Sequence, residues 1–251
     1  METFDSKLWM LRQKFDEVAR YPHLAENALR DLYQELVSSS GEMLDHEGKM
    51  LVHSLANEGA IKSIVEVMLR PCVTPTLVYR ALGVLTLFAQ EEARIVESEG
   101  GFHAIVSALR NFPDADFVQE AAIVALVECG RSSEQYRSNV QEVLGIIAQT
   151  MEAHKHSPRI FYLSCTAIRI ASQSGIMLDD NLANRIYGNL LDGIILFPGD
   201  EIVQNAGREV LSLWVGFENA LDMIQLRASA LVAMADILHQ ASGIRRPIQN
   251  Q

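Results

Sequence analysis

The sequence is poor in cysteine, in aromatic residues and in cations. Its 251 residues include three cysteines, 7% Phe, Trp and Tyr, and 21 Lys and Arg against 32 Asp and Glu. Three cysteines are too few for a disulfide framework, which favours a reducing compartment. The scarcity of aromatic residues is more typical of a helical protein than of a β-sandwich or a β-barrel.

Charge and hydropathy exclude further classes of partner. A formal net charge of −11 disfavours nucleic acid and anionic membranes, because both repel an acidic surface. The longest apolar stretches, such as residues 121–127, are much shorter than the ~20 residues of a spanning helix. The amino terminus also lacks the basic region and apolar run of a signal peptide. We therefore expect a cytoplasmic protein, with the nucleus as an alternative location, and neither membrane nor nucleic acid as a partner.

What the sequence does contain is a repeated pattern of apolar and small residues. An apolar residue, a small residue four positions later and a second apolar residue four further on occur together four times. The small residues are Ala81, Ala122, Ser164 and Gly207, and the closing apolar residues are Leu85, Leu126, Ile168 and Leu211. These closing residues are 41, 42 and 43 positions apart. Spacing this regular indicates an internal repeat, which decides the fold class.

Two further columns keep the same register. The apolar residues Met68, Leu109, Met151 and Ile194 step by the same 41, 42 and 43 positions. A proline falls between the two longer helices of each unit, at Pro75, Pro113, Pro158 and Pro198, and Pro22 does so in an earlier, weaker unit. Proline lacks a backbone donor and disfavours helical geometry in the residue before it, so it separates paired helices.

Each unit is predicted to consist of one short and two longer helices. Phe102, Ile105 and Leu109 share one helix face at positions i, i+3 and i+7. Short segments such as 91–98 precede a glycine, and Gly59 and Gly100 occupy equivalent positions where the chain must turn sharply. No run alternates with the period of a strand, so we expect little or no sheet.

A ~42-residue unit with a glycine corner and a last helix of the form V-Q-x-x-A-x-x-x-L resembles the armadillo repeat. A HEAT-type array is the neighbouring alternative, and the glycine corner and short first helix favour armadillo. The resemblance implies an all-α fold, a right-handed α-solenoid of about four to five repeats. We expect a single domain over residues 1–251: a divergent leading repeat at 1–57, repeats at 58–98, 99–140, 141–182 and 183–225, a trailing helix at 226–241 and a tail at 242–251.

The resemblance also implies a concave ladder of last helices that binds extended peptides or partner domains. Importin-like members carry Trp two residues before the closing apolar residue and Asn two residues after it. The corresponding residues here are Gly83, Val124, Thr166 and Glu209 for Trp, and Leu87, Glu128, Ile170 and Leu213 for Asn. Neither column matches at any repeat, so the recognition of nuclear-import cargo does not carry over.

One turn earlier, the last helices carry a mixed aromatic and polar set. The residues that we predict to line a partner-binding groove are Thr76, Tyr79, Phe117, Glu120, Arg159, Tyr162, Arg169, Asn205 and Arg208. Tyr and Arg are favoured in binding hot spots because they combine contact area with polar groups. The alternative is that the two tyrosines only pack between repeats and that the charges form a solvated face.

We identify no catalytic residue, metal ligand or cofactor motif. The motifs G-x-S-x-G, G-x-G-x-x-G and H-E-x-x-H are absent. His154 and His156 are expected in a solvated loop, since a zinc site needs about four converging ligands. His53 and His103 are expected to be partly buried on helices, and Cys129 and Cys165 to be small core residues.

The function predicted from these features is a non-enzymatic scaffold or adaptor that binds a peptide or protein in its concave groove. The alternative is a co-chaperone or regulatory subunit that clamps a folded domain of its partner. A small enzyme with an unrecognised site is a third hypothesis. The residues leave the partner and the oligomeric state open.

Overall fold

The computed structural model describes residues 4–37, 44–131, 134–173 and 179–215. Within these ranges every regular element is an α-helix, which confirms the predicted all-α class. The twelve helices in these ranges are α1 (Phe4–Arg20), α2 (Pro22–Leu36), α3 (His46–Asn57), α4 (Ala60–Met68), α5 (Pro75–Ser98), α6 (Gly101–Asn111), α7 (Asp116–Gly130), α8 (Glu134–Ser138), α9 (Val140–Ala153), α10 (Pro158–Ser172), α11 (Asp180–Leu196) and α12 (Glu201–Val215). The trailing helix and the tail expected at 226–241 and 242–251 lie outside the described residues.

Glycine makes the corner between the short and the longer helix of a unit. Gly59 and Gly100 directly precede α4 and α6, with φ of 86° and 82°. This left-handed conformation strains any residue that has a Cβ atom. The predicted equivalence of the two glycines is therefore confirmed by a conformation that they share.

Proline and polar caps begin the longer helices. Pro75 and Pro158 are the first residues of α5 and α10, where the missing N–H is not needed. The residues before them, Thr74 and Ser157, accept hydrogen bonds from backbone N–H groups at 3.2 Å. Pro113 lies in the turn before α7 instead. The predicted position of proline between paired helices is confirmed, and at Pro22, Pro75 and Pro158 the proline is itself the first residue of the second helix.

A break in α5 divides it into a long and a short helix. Glu92 leaves the helical region, with φ −129° and ψ 41°, so that residues 93–98 form a short segment before the Gly100 corner. This segment lies within the short third segment predicted over 91–98. The unit that contains α5 therefore turns at this kink before the glycine corner.

The helices pack in two parallel ladders. We name α2, α5, α7, α10 and α12 the inner ladder, in which each helix packs against the next. The outer ladder consists of α1, α4, α6, α9 and α11, which also pack in order. Inner and outer helices of a unit contact each other, as α6 does with α7. Because the main contacts of the described helices join neighbouring units, this is the architecture of a helical solenoid.

The repeat columns form the core between the two ladders. The closing apolar residues Leu85, Leu126, Ile168 and Leu211 are all buried. At the small position of α12, a Cβ on Gly207 would lie 2.7 Å from Cγ1 of Ile194 in α11. The small column thus allows the two ladders to approach closely, as the spacing predicts.

A buried glutamine joins the two longer helices in two of the units. Gln119 donates from Nε2 to the carbonyl oxygens of Leu109 and Phe112, both at 2.9 Å, and accepts from the Thr150 hydroxyl at 2.8 Å. Gln204 donates in the same way to Ile194 and Phe197. Carbonyl groups at a helix end have no intrahelical partner. The glutamine of the V-Q-x-x-A-x-x-x-L pattern therefore caps the C-terminal end of the helix that precedes its own.

His156 is exposed in the turn after α9, as expected, but three other histidines differ from the sequence-based expectation. The His154 side chain is only 8% exposed, with Nδ1 2.6 Å from Asp116 and Nε2 2.7 Å from the Pro113 carbonyl oxygen. It therefore bridges α9 to the α6–α7 turn instead of lying in a solvated loop. His53 and His103, expected to be partly buried, are exposed. The reason is that both project from the outer surface of their helices, a choice that short-range periodicity does not decide.

Candidate binding groove

A groove with a volume of about 590 Å³ runs across the inner ladder. It begins at α2, crosses α5 and α7 and ends at the first turn of α10. We name it the α2–α10 groove; its lining residues are Leu29, Arg30, Tyr33, Gln34, Val37, Tyr79, Arg80, Gly83, Thr86, Leu87, Gln90, Phe117, Glu120, Ala121, Val124 and Arg159. Successive units therefore contribute side chains to one continuous surface.

Aromatic rings form the centre of this groove. Tyr79 and Phe117, from α5 and α7, meet edge to face with ring centroids 5.5 Å apart and an interplanar angle of 80°. Edge-to-face pairs of aromatic rings are favourable contacts. Both rings also remain accessible to solvent, Tyr79 at 46% and Phe117 at 44% exposure. On the α2 side, Tyr33 lies close to Gly83, where a Cβ would be 3.5 Å from the Tyr33 ring. Three rings from three helices are therefore presented to solvent along the groove.

The charged residues of the groove form pairs between and within helices. Arg159 of α10 contacts Glu120 of α7 at 2.7 Å. Arg80 donates to the Glu26 carbonyl oxygen at 3.0 Å and lies 3.4 Å from its carboxylate. These contacts tie α5 to α2 and α10 to α7, so they hold neighbouring inner helices in register.

A third pair lies on α2 itself. Arg30 contacts Asp31 at 3.1 Å, and Lys14 of α1 donates to the same carboxylate at 3.0 Å. The Lys14 ammonium, with a further contribution from Arg30, holds the pKa of the Asp31 carboxyl below its usual value. One carboxylate is thus shared between two cations.

Four of the nine residues predicted for the groove lie together in it. These four are Tyr79, Phe117, Glu120 and Arg159. The other five, Thr76, Tyr162, Arg169, Asn205 and Arg208, are on α5, α10 and α12 outside this lining. Of these five, Arg169 lies 3.6 Å from Glu209, and Arg208 donates to Gln204 at 2.9 Å. A part in partner binding stays a prediction for all nine.

Sequence reasoning missed the contribution of α2. Arg30 and Tyr33 line the groove, but the column analysis starts only at the second unit. A signal was present: Leu24, Ala28 and Leu32 repeat the apolar, small and apolar spacing of the later units. The residues two before the closing apolar position, Gly83 and Val124, also line the groove. There they provide an apolar floor where importin-like proteins carry Trp.

A second, smaller cavity lies on the outer ladder. It has a volume of about 410 Å³ between α9 and α11, and His154 and Phe161 are among its lining residues. At its edge, Arg185 donates two hydrogen bonds of 2.6 Å to Glu152 and lowers the pKa of that carboxyl. This cavity contains none of the nine predicted groove residues.

A cluster of metal ligands and a membrane-spanning helix are both absent from the described residues. These residues contain no group of three or more His, Cys, Asp or Glu residues that could hold a metal ion. None of the helices in the ranges that the structure describes is long and apolar enough to cross a membrane.

The comparisons with known proteins find structural neighbours but no sequence relative. No family model and no curated protein matches the chain. The designed armadillo repeat protein YIII(Dq.V1)4CPAF, solved in complex with the peptide (KR)4, is 14% identical with a TM-score of 0.62, over 87% of this chain and 89% of its own. The designed armadillo repeat protein YIII(Dq)4CqI is 13% identical with a TM-score of 0.53, over 81% and 99%. Likeness at this identity concerns the fold alone. Together with the two ladders and the shared glycine corners, it shows that the chain has an armadillo-like helical repeat fold.

Proposed function

We propose that this protein is a non-enzymatic scaffold that binds an extended peptide segment of its partner in the α2–α10 groove. The observation that carries the proposal is the exposed ring pair of Tyr79 and Phe117, which lies in a continuous groove formed by four helices. Solvent-exposed aromatic residues on a rigid surface are favoured anchors for partners.

The spacing of the array supports an extended ligand. Each unit adds one inner helix. Inner helices about 8–10 Å apart match residues of an extended peptide that are about three positions apart. Tyr33, Tyr79 and Phe117 come from consecutive inner helices. One of the structural neighbours, a designed armadillo repeat protein, was solved with a bound peptide. A peptide is therefore the ligand that this arrangement accommodates best.

The state of the cysteines supports a binding role over catalysis. Burial raises the pKa of the Cys129 thiol to about 12 and also raises that of Cys165. The thiolate is the nucleophilic form of cysteine, so neither thiol is activated at neutral pH.

All three cysteines are free thiols, which agrees with a cytoplasmic or nuclear location.

We also propose that residues 1–251 form one repeat domain with the boundaries expected from the sequence. The support is the packing of each described helix against its neighbours along both ladders. Partners in this proposal are proteins or peptides, not nucleic acid, in keeping with the net charge of −11.

The test begins with selection of peptides from a displayed random library on the wild-type protein. Fluorescence anisotropy then measures the affinity of a selected peptide for the double variant Tyr79→Ala, Phe117→Ala. We expect its dissociation constant to rise at least about tenfold, as is typical when hot-spot side chains are truncated. Trp9→Ala is the matched control, because Trp9 is an exposed aromatic residue of α1 outside the groove.

Three outcomes would count against the groove. Equal affinity of the double variant and the wild type would mean that another surface binds. If Tyr162→Ala weakens peptide binding and the double variant does not, the binding site lies along α10 instead. Tight binding of a folded domain with no selectable peptide would favour the alternative of a clamp, that is, a co-chaperone or regulatory subunit.

A further inference from the structure

More cations than carboxylates line the α2–α10 groove, although the whole protein is acidic. Three arginines, Arg30, Arg80 and Arg159, are among its lining residues, and Glu120 is the single carboxylate among the described residues that line it. The whole chain has 32 acidic residues against 21 basic ones. Among the residues that line this groove, cations therefore outnumber carboxylates beside the exposed rings.

Ion pairs within the protein only partly use these guanidinium groups. Arg159 contacts Glu120 through Nε, and its side chain is 70% exposed. Arg30 donates from Nε and Nη2 to Oδ1 of Asp31, and its Nη1 is not used in this pair. A guanidinium group has five N–H donors in a planar fork that fits a carboxylate. Arg159 and Arg30 can therefore each take a carboxylate from a ligand.

The floor of the groove adds an apolar requirement. Leu87 and Val124 line it beside the exposed rings of Tyr79 and Phe117. A ligand that covers these residues must bring aliphatic or aromatic side chains, since burying a charged group against them without a partner is unfavourable. The ligand thus needs carboxylates at the edge and apolar side chains at the floor.

We infer that the α2–α10 groove selects an acidic peptide segment with aliphatic or aromatic anchors. The inference rests on the proposed function and specifies its ligand class. It separates this protein from its structural neighbour that was solved with the basic peptide (KR)4. Because like charges that face each other weaken association, the arginines of this groove disfavour such a peptide.

The test uses three labelled peptides of equal length with the same Leu and Phe positions. The residues between these anchors are all Glu in the first, all Ser in the second and all Lys in the third, and (KR)4 is a fourth probe. Fluorescence anisotropy on the full chain should give the Glu peptide an affinity at least about tenfold above that of the Lys peptide. The difference should shrink as salt is added, since exposed charges are screened.

Charge-reversal variants assign the preference to the groove. Arg159→Glu should weaken the Glu peptide at least about tenfold. The control Arg110→Glu makes the same change in net charge and breaks a similar pair between helices, that of Arg110 with Glu142 at 2.6 Å on the outer ladder. It should leave the affinity unchanged within about twofold, because this site is remote from the groove.

Glu120→Gln is expected to increase the affinity for the Glu peptide, a result that a misfolded variant would not give. It removes the one carboxylate of the described lining and releases Arg159. We expect the Glu peptide to bind several-fold more tightly to this variant than to the wild type, and the Lys peptide to bind more weakly.

The outcomes separate the inference from the function on which it rests. If the Ser or Lys peptide binds as tightly as the Glu peptide, and binding still depends on Tyr79 and Phe117, the inference is wrong and the proposed function stands. Equal losses in Arg159→Glu and Arg110→Glu would also overturn the inference. If none of the four peptides binds and library selection finds no ligand, both are wrong.

Discussion

At the scale of single residues, Ser164 buries a hydroxyl group at a repeat position that requires only a small side chain. It occupies the small position of α10, which is Ala81 in α5, Ala122 in α7 and Gly207 in α12. The residue is fully buried, and its hydroxyl makes no hydrogen bond within the described structure. Burial of a hydroxyl without a partner is unfavourable. The sequence pattern requires a small residue here but does not require a polar one.

We therefore predict that Ser164→Ala stabilises the protein. Its free energy of unfolding should rise by about 1 kcal/mol, the low end of the cost of an unpaired buried hydroxyl. Urea denaturation measures this change. Ser172→Ala on the same helix is the control, because the Ser172 hydroxyl donates to the Ile168 carbonyl oxygen at 2.8 Å. A loss of stability in Ser164→Ala would show that its hydroxyl has a partner in solution.

At the scale of elements, the link between neighbouring units depends on side chains that satisfy helix ends. Gln119 caps the end of α6 from α7 and accepts a hydrogen bond from Thr150 of α9. A buried glutamine in the first turn of α7 would otherwise be unfavourable. Three helices of two units are thereby held together by one amide group.

We predict that Gln119→Ala lowers the free energy of unfolding by about 1–3 kcal/mol, because it leaves buried polar groups unpaired. A double-mutant cycle with Thr150→Ala should show a coupling of at least about 0.5 kcal/mol. Gln204→Ala is the control: it removes an equivalent cap from α11 but should not couple with Thr150. Additive effects of Gln119→Ala and Thr150→Ala would mean that the two side chains act independently.

At the scale of the molecule, stability depends on continuity along the ladders. The inner helix α7 packs against both α5 and α10, and Leu126 is a fully buried residue at its centre. Leu32 holds the corresponding position on α2 and is equally buried, but it lies near the start of the described array. Because the main contacts of the described helices join neighbouring units, a cavity in the middle interrupts the array more than one near an end.

We predict that Leu126→Ala lowers the free energy of unfolding by about 2–5 kcal/mol. Hydrogen exchange should show reduced protection in the units on both sides of α7. Leu32→Ala, in contrast, should reduce protection mainly in the first helices. A loss below about 1 kcal/mol for Leu126→Ala, under the range for large-to-small core changes, would mean that the repeat register is wrong.

Much of the fold could be predicted from single columns of residues. The anchors at Leu85, Leu126, Ile168 and Leu211 are buried as the spacing predicts, because side chains that recur on one helix face are buried together. The glycine corners follow from backbone geometry alone. His154 could not be placed in this way, since its partners Asp116 and Pro113 are about one repeat away in sequence. Contacts of this kind depend on how units stack.

The candidate groove was less predictable than the fold for the same reason. Tyr79, Phe117, Glu120 and Arg159 come together in it, whereas Tyr162 and Arg208 do not line it. All of them lie on inner helices at related positions, so the sequence pattern does not distinguish them.

By itself, the sequence determined the helical class and the residues of the core, because both depend on periodicity within a single helix. It also determined the repeat length, because equivalent columns recur at a nearly constant spacing along the chain. Only the tertiary structure decided which surface side chains meet. The ring contact of Tyr79 with Phe117, the pairing of Arg159 with Glu120 and the entry of α2 into the groove all depend on the position of one unit relative to the next. Stacking of units is set by side-chain packing across the whole interface, which no column of residues encodes by itself.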